Sequence, residues 1–408
     1  MIAAGTIAHI GQQGVPSYRA LAARAIAVFV LARVVTLAWI LGVGAHRSLP
    51  LSQTIGYWDG SWYIQAAKGG WPSVVPNLPP ETAGQDTTAF FPGYPLLIRV
   101  AHAFGLNWEV SALVVVVLAG AAASILIAIL IAQFSTVRIA VLTVALWSMQ
   151  PESYVLSVAY SEALFTALAA GTLLALYRQR WLTAGVLAAA ASATRSVAAA
   201  LTIVAVVVAI RQWRATPAEQ RWTARGLAPW LAPVLSPIGV LAYFAFLRAR
   251  VGSWTAWFEV ESKGWHMHSD PGISVVRNTW RAFAKTGRFF IHPRGTLIPE
   301  GMTPLVLIAA IALAVWLVVL ARRGLVPLEF WLFGIAFLLL MFITGNSYAS
   351  LPRILVPVFV LLFPVAHWLS SRSWPTIMAI LVPSLAAACY LGVLWFDTIR
   401  LATHCCAP

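Results

Sequence analysis

The sequence predicts an all-α, polytopic integral membrane protein with about eleven transmembrane helices. Of its 408 residues, 60% are hydrophobic and only 10% are charged, and the mean hydropathy is +0.82. Soluble globular domains contain fewer apolar and more charged residues than this. Apolar runs long enough to cross a bilayer recur along the whole chain, and arginines gather at their ends. We expect one integrated membrane domain over residues 1–408.

The apolar runs give the expected helices in order. The first, at about 20–45, is too long for the apolar part of a signal peptide and lacks an evident cleavage site, so we expect it to remain as the first span. Further runs of suitable length follow at about 110–134, 137–150, 156–177, 230–248, 303–321, 327–345, 353–370 and 375–396.

The stretch 181–210 is too long for a single span. As one helix it would measure about 45 Å and would place Arg195 at its middle. When it is counted as two crossings, the main clusters of basic residues all fall on one side of the membrane, as the positive-inside rule requires. These clusters comprise Arg138, Arg178, Arg180, Arg211, Arg214, Arg221, Arg225, Arg322, Arg323 and Arg372. We therefore expect eleven spans, a cytoplasmic amino terminus and an external carboxyl terminus in the plasma membrane.

This topology places two long loops, about 46–109 and 249–302, on the outer face. The outer loops and turns hold most of the acidic residues, namely Asp59, Glu81, Asp86, Glu109, Glu152, Glu259, Glu261, Asp270 and Glu300. We therefore expect any chemistry on the extracytoplasmic side. Within the first loop, residues 60–70 and 91–104 have the pattern of amphipathic helices that lie in the membrane interface.

Charge, cysteines and motifs exclude several protein classes. The net charge of +14 resides mostly in arginines beside apolar runs, which favours contact with anionic headgroups and gives no reason to expect a nucleic-acid partner. Cys389, Cys405 and Cys406 form no CxxC pair, so neither a disulfide framework nor a zinc site is indicated. The sequence shows no Walker A or Rossmann glycine motif and no internal repeat.

Asp59 is the first candidate for chemistry. It lies among aromatic residues just after the first span, in Tyr57-Trp58-Asp59-Gly60-Ser61-Trp62-Tyr63. One interpretation is a solvated loop residue or helix N-cap at a bilayer surface rich in Trp and Tyr. The other is a general base beside a sugar ring that packs on the aromatic faces of Trp58, Trp62 and Tyr63. The residue types alone leave both open.

Several segments together resemble the PIG-V family, the second mannosyltransferases of glycosylphosphatidylinositol assembly and their bacterial relatives, which belong to the GT-C class. The resemblance begins with 58–63 and with Phe90-Phe91-Pro92-Gly93-Tyr94-Pro95-Leu96-Leu97-Ile98-Arg99. It continues in order through 151–153, 160–165, 193–196, a Trp-rich stretch at 254–265, and 351–353. Matches in this order span most of the chain.

The resemblance implies a GT-C-type fold and an inverting transfer of a sugar, usually mannose. The donor would be a polyprenyl-phosphate sugar, the acceptor hydroxyl would lie outside the cytoplasm, and Asp59 matches the position of the base. The composition, rich in Ala, Arg and Trp, favours a bacterial source. The expected acceptor is therefore an envelope glycolipid, lipoglycan or glycoprotein.

A reaction of this kind needs cations beside the leaving phosphate. Arg195 and Arg353 are the candidates, and the alternatives for an arginine near apolar segments are snorkelling to headgroups or pairing with a buried glutamate. Glu162 is expected near the outer end of a span, either as the structural partner of an arginine or as part of the donor pocket. Trp265 and His266 are candidates for contact with acceptor or phosphate.

No cofactor is firmly indicated, and metal dependence stays open. The second outer loop contains His and carboxylate residues that occur in metal sites, although a solvated loop is the simpler interpretation. These residues are Glu259, Glu261, His266, His268 and Asp270.

Two other functions compete with a transferase. A transporter or flippase for a lipid or sugar would carry intramembrane charges along a path to both faces, and usually internal repeats, whereas here such charges concentrate toward one face. A non-catalytic assembly protein would tolerate replacement of Asp59.

Overall fold

The computed structural model describes residues 17–73, 86–265, 267, 270–284, 299–343 and 348–401. Within these ranges all regular secondary structure is helical. The α-helices are α1 (Tyr18–His46), α2 (Leu51–Ile55), α3 (Asp59–Gly69), α4 (Gly93–His102), α5 (Trp108–Ile131), α6 (Val137–Met149), α7 (Glu162–Tyr177), α8 (Trp181–Ser192), α9 (Ala199–Ala215), α10 (Ala224–Leu227), α11 (Leu231–Leu235), α12 (Ile238–Val251), α13 (Ala256–Gly264), α14 (Ile273–Ala284), α15 (Pro299–Arg322), α16 (Leu328–Ile343), α17 (Leu351–Ile354), α18 (Phe363–Leu369) and α19 (Trp374–Leu401).

Many of these helices are apolar, as the sequence predicts. Among the described residues, five helical segments are long and apolar enough to cross a membrane, and counting each of two bent helix pairs as one span brings the number to seven. Shorter apolar helices lie at Val137–Met149, Trp181–Ser192, Leu328–Ile343 and Phe359–Leu369. Together these segments match the predicted apolar runs one for one. The all-α fold with membrane-capable helices is confirmed, while eleven crossings and their orientation stay predictions.

Two breaks in the helical bundle lie next to Glu162 and Arg195, two of the predicted site residues. The short 3-10 helix Pro151–Ser157 and α7 meet at an angle of 100°. Helix α8 ends at Ser192, and helical structure resumes at Ser196. The prediction that 181–210 is not one helix, and that the chain breaks at Arg195, is therefore confirmed. Breaks like these expose backbone groups that other segments can bind.

The helices of the first loop dock on these breaks. The amide of Ala159, in the first break, donates to the carbonyl of Ile55 at 2.8 Å, and the amide of Gly93 at the start of α4 donates to the carbonyl of Ala193 at 2.7 Å. A Cβ at position 93 would lie 2.9 Å from that same carbonyl oxygen, so only glycine permits the approach. Both predicted loop helices exist, as α3 and α4, and they are held against the bundle.

A buried arginine fastens the first break to α1. Arg33 donates from Nη1 to the carbonyl of Ser153 at 2.5 Å and to Oγ of Ser157 at 2.9 Å, and from Nη2 to the carbonyl of Ser148. Its exposed fraction is 3%. A guanidinium supplies several donors in a fixed geometry, which suits carbonyls that a broken helix leaves free. The sequence analysis does not single out Arg33.

Candidate active site

Four charged residues far apart in the sequence form one chain of ion pairs. Arg353 Nη1 lies 2.6 Å from Asp59 Oδ2, and Arg353 Nε lies 3.8 Å from Glu162 Oε1. Arg195 Nη1 lies 2.8 Å from the same glutamate oxygen. All four are site residues that the sequence predicts, and the structure brings them together in the order Asp59, Arg353, Glu162, Arg195. We call this set the ion-pair chain.

Helix ends and breaks position these side chains. Asp59 and Glu162 are the first residues of α3 and α7, where free amide groups and the helix dipole stabilise negative charge. Arg195 lies in the break that precedes α9, and Arg353 lies in the short helix α17. The ion-pair chain thus joins the first loop to three separate parts of the bundle.

Within the ion-pair chain, side-chain exposure is lowest at Glu162 and highest at Asp59. The Glu162 side chain is fully buried, the Arg195 and Arg353 side chains are each 15% exposed, and the Asp59 side chain is 26% exposed. A buried carboxylate is stable only beside compensating charge, which the two arginines supply. Within the ion-pair chain, Asp59 is therefore the side chain most accessible to a substrate.

Hydroxyl groups and an aromatic ring complete the polar surroundings. Arg195 Nη1 donates to Ser161 Oγ at 3.1 Å, and Ser161 Oγ lies 2.8 Å from the hydroxyl of Tyr63. Burial raises the pKa of Tyr63 to about 12, which keeps its hydroxyl protonated. The guanidinium of Arg353 lies over the ring of Tyr160, 4.8 Å from its centroid. The hydrogen bond to Ser161 holds the Tyr63 side chain beside the ion-pair chain.

A cluster of aromatic rings adjoins the ion-pair chain. The centroid of Trp62 lies 6.2 Å from that of Phe90 and 6.0 Å from that of Trp265, and Tyr63 contacts Phe90 edge-on at 4.9 Å. The structure thus brings Trp265, from the second long loop, against Trp62 and Phe90 of the first. Its buried Nε1 has no hydrogen-bond acceptor among the described residues. Half-buried aromatic faces of this kind suit packing against a sugar.

Trp58 and His266 complete the predicted set. Trp58 is half-buried and takes a positive φ of 49° just before Asp59. A residue other than glycine rarely adopts this conformation, so the backbone is strained where the candidate base begins α3. His266 lies outside the described residues.

Glu261 joins the site, although the sequence analysis names it only as a metal candidate. It lies on α13, four residues before Trp265, so both face the first loop from one side of the helix end. Burial, and then the negative charge of Asp59, raise the pKa of Glu261 to about 8. Its carboxyl group is therefore mostly neutral at pH 7. The helical spacing to a Trp-rich motif is the signal that could have identified it.

The other carboxylates of this loop have local roles. Glu259 accepts from Thr255 Oγ1 at 2.7 Å, and Asp270 accepts from the amides of Gly272 and Ser274 at 2.9 Å. Hydrogen bonds from Ser274 lower the pKa of Asp270. Among the described residues no three His, Cys, Asp or Glu side chains form a metal-binding group. The metal interpretation of the loop therefore finds no support in the part of the chain that is described, and His268 lies outside it.

Comparison with known proteins finds distant structural neighbours among the solved structures. No protein-family profile and no curated protein matches the chain. The solved structure of the Archaeoglobus fulgidus oligosaccharyltransferase, tethered to an acceptor peptide containing the NVT sequon, is similar with a TM-score of 0.41 and 12% identity. The match covers 92% of this chain and 55% of that one, so this chain spans about half the neighbour's length. Membership of the PIG-V family stays a prediction.

Proposed function

We propose that the protein is an inverting glycosyltransferase of the GT-C type. It transfers a sugar, mannose by the family resemblance, from a polyprenyl-phosphate donor to a hydroxyl of a glycolipid, lipoglycan or glycoprotein acceptor. The reaction takes place at the extracytoplasmic face of the plasma membrane. The observation that carries the proposal is the ion-pair chain, in which the more exposed carboxylate, Asp59, pairs with Arg353. Arg195 is linked to this pair through Glu162, and the cluster of aromatic rings adjoins it.

Asp59 is the general base of this reaction. It accepts the proton of the acceptor hydroxyl as the hydroxyl oxygen attacks the anomeric carbon, and the bond from that carbon to the phosphate oxygen breaks. The bonding electrons leave with the phosphate. Because the hydroxyl attacks from the face opposite the phosphate in a single displacement, the configuration at the anomeric carbon inverts. Because a lipid phosphate is stable as an anion, the leaving group needs no general acid, unlike the alcohol released by a glycosidase.

Arg353 and Arg195 stabilise the negative charge that develops on the leaving phosphate. Arg353 has two partners before donor binds, Asp59 at 2.6 Å and Glu162 at 3.8 Å. A phosphate that draws Arg353 toward itself weakens the bond to Asp59 and leaves that carboxylate free to accept a proton. Donor binding thus activates the base, while Glu162 keeps Arg195 in place.

The test is a transfer assay with purified full-length protein. We expect radiolabelled mannose to move from polyprenyl phosphate to a lipid acceptor extract, with release of one polyprenyl phosphate for each sugar transferred. Nucleotide-linked mannose should give no product, since it lacks the lipid chain. A transporter or flippase would instead move intact donor across a vesicle membrane without cleaving it, and that result would overturn the proposal.

The pKa of Glu261 predicts how donor use depends on pH. Below about pH 8 the group is neutral, and above it the group adds a negative charge near Asp59. That charge repels the donor phosphate, so the KM for donor should rise as the pH passes 8. In the Glu261→Gln variant, which stays neutral, KM should be independent of pH over this range.

Glu259→Gln is the matched control for this measurement. It removes a carboxylate from the same helix, but Glu259 accepts from Ser253 and Thr255 and does not face the ion-pair chain. The control should retain the wild-type rise in KM. If wild type and Glu261→Gln have the same profile, Glu261 does not act on the donor.

A further inference from the structure

Helix α14 carries an exposed apolar stripe. Ile273, Val276, Trp280 and Phe283 are 62%, 70%, 73% and 43% exposed, and their spacing places them on one face of the helix. A continuous apolar face of this kind on a helix surface marks an interaction site. The sequence analysis does not predict this helix.

The opposite face of α14 is fixed to the protein. Val275 and Ala282 are each only 3% exposed. Thr279 Oγ1 lies 3.0 Å from the hydroxyl of Tyr348, and Asp270 caps the start of the helix through the amide of Ser274. The stripe therefore faces outward because the helix is held in this orientation.

The charges on α14 select an anionic surface. Arg277 and Arg281 each follow a member of the stripe by one residue, so they flank it, and both are exposed. The helix contains no acidic residue. Apolar residues including a tryptophan, with arginines beside them, are typical of helices that lie in the interface of a membrane with anionic lipids.

The length and position of α14 agree with such a surface. Its 12 residues would measure about 18 Å, too short to cross the hydrocarbon core. A Cβ at Gly272 would lie 3.8 Å from the carbonyl of Phe342 near the end of α16. Tyr348 begins the 3-10 turn that leads into α17 and Arg353. The helix thus lies at the end of the bundle that holds the ion-pair chain.

We propose that α14 docks on the surface of an anionic phospholipid bilayer. Its stripe inserts among the acyl chains, and Arg277 and Arg281 bind lipid phosphates. Through Tyr348, this contact sets the depth of the segment carrying Arg353 relative to the headgroups. That last step rests on the proposed function, since it is at this depth that a lipid-linked donor presents its phosphate.

Fluorescence quenching tests the docking without any assay of activity. An environment-sensitive fluorophore is attached at Val276→Cys, or at Glu219→Cys in an exposed polar segment as the control, in a full-length chain whose native cysteines are replaced by serine. Both proteins are reconstituted in vesicles of phosphatidylcholine and phosphatidylglycerol that contain a lipid with a shallow nitroxide. We expect stronger quenching at position 276 than at 219. Equal quenching at the two positions would overturn the proposal. So would a fluorophore at 276 that is shielded from water but not quenched by the lipid, because another protein surface would then cover the stripe.

The double variant Arg277→Gln, Arg281→Gln tests the link to the site. In anionic vesicles its KM for lipid-linked donor should rise several-fold with little change in kcat, because each arginine near the surface contributes to lipid binding. In phosphatidylcholine alone, the difference from wild type should shrink. An unchanged KM in anionic vesicles would refute the link. If the wild-type protein transfers no sugar at all, the proposed function fails, while the quenching result still decides the docking.

Discussion

Replacing Asp59 with asparagine is expected to slow sugar transfer by about 10²- to 10⁴-fold, the usual contribution of a general base. Asparagine is nearly the same size as aspartate but cannot accept the proton of the acceptor hydroxyl. Single-turnover measurement with bound donor isolates this step from binding and release. A fully active Asn variant would exclude Asp59 as the base.

The same variant should bind donor at least as tightly as wild type. The ion pair between Asp59 and Arg353, at 2.6 Å, competes with the donor phosphate for the guanidinium. Removing the carboxylate charge ends that competition, so the Kd for donor should stay the same or fall while kcat collapses. A structural role for Asp59 would instead weaken donor binding and catalysis together.

Asp86→Asn is the matched control for both measurements. It makes the same chemical change in the same loop, where Asp86 accepts from the amide of Thr88. Asparagine is an equally good cap, so the fold should be retained. We expect the transfer rate and donor Kd of this variant to match those of wild type.

Much of the fold follows from the sequence because local physics decides it. Apolar length and the positions of arginines predict the helical segments, and the break at Arg195 follows from the cost of a buried charge midway along an overlong helix. The loop helices α3 and α4 follow from their amphipathic patterns. Each of these inferences uses residues close together in the chain.

The pairing within the site could not be predicted in this way. Arg353 and Asp59 are joined only when α17 packs beside the first loop, and no local pattern specifies that contact. The sequence analysis left open whether Arg195 binds the leaving phosphate or instead reaches headgroups or pairs with a buried glutamate. The structure pairs it with buried Glu162. Whether it also binds phosphate stays a proposal. The sequence analysis did not single out Arg33 and considered Glu261 only as a metal candidate, because their surroundings in the fold depend on distant carbonyls or charges.

Glu162→Gln is expected to destabilise the protein by about 3–5 kcal/mol, the usual cost of removing one partner from a buried ion pair. Glu162 is fully buried and compensates both Arg195 and Arg353. Glutamine preserves its shape but leaves the two guanidinium groups with Asp59 as their remaining carboxylate in the ion-pair chain. The loss should appear as a lower midpoint of unfolding in mixed detergent and SDS micelles.

A surface ion pair provides the control for Glu162→Gln, and a second substitution provides the internal check. Glu109 pairs with Lys68 at 3.5 Å, and the lysine side chain is 45% exposed, so Glu109→Gln should cost no more than about 1 kcal/mol.

Adding Arg195→Gln to Glu162→Gln should restore part of the lost stability, because it removes a charge that the first change leaves uncompensated. If instead the two losses simply add, Arg195 and Glu162 are not energetically coupled. The ion-pair chain would then be a set of neighbours, and the mechanism in which Glu162 holds Arg195 ready for phosphate would fail.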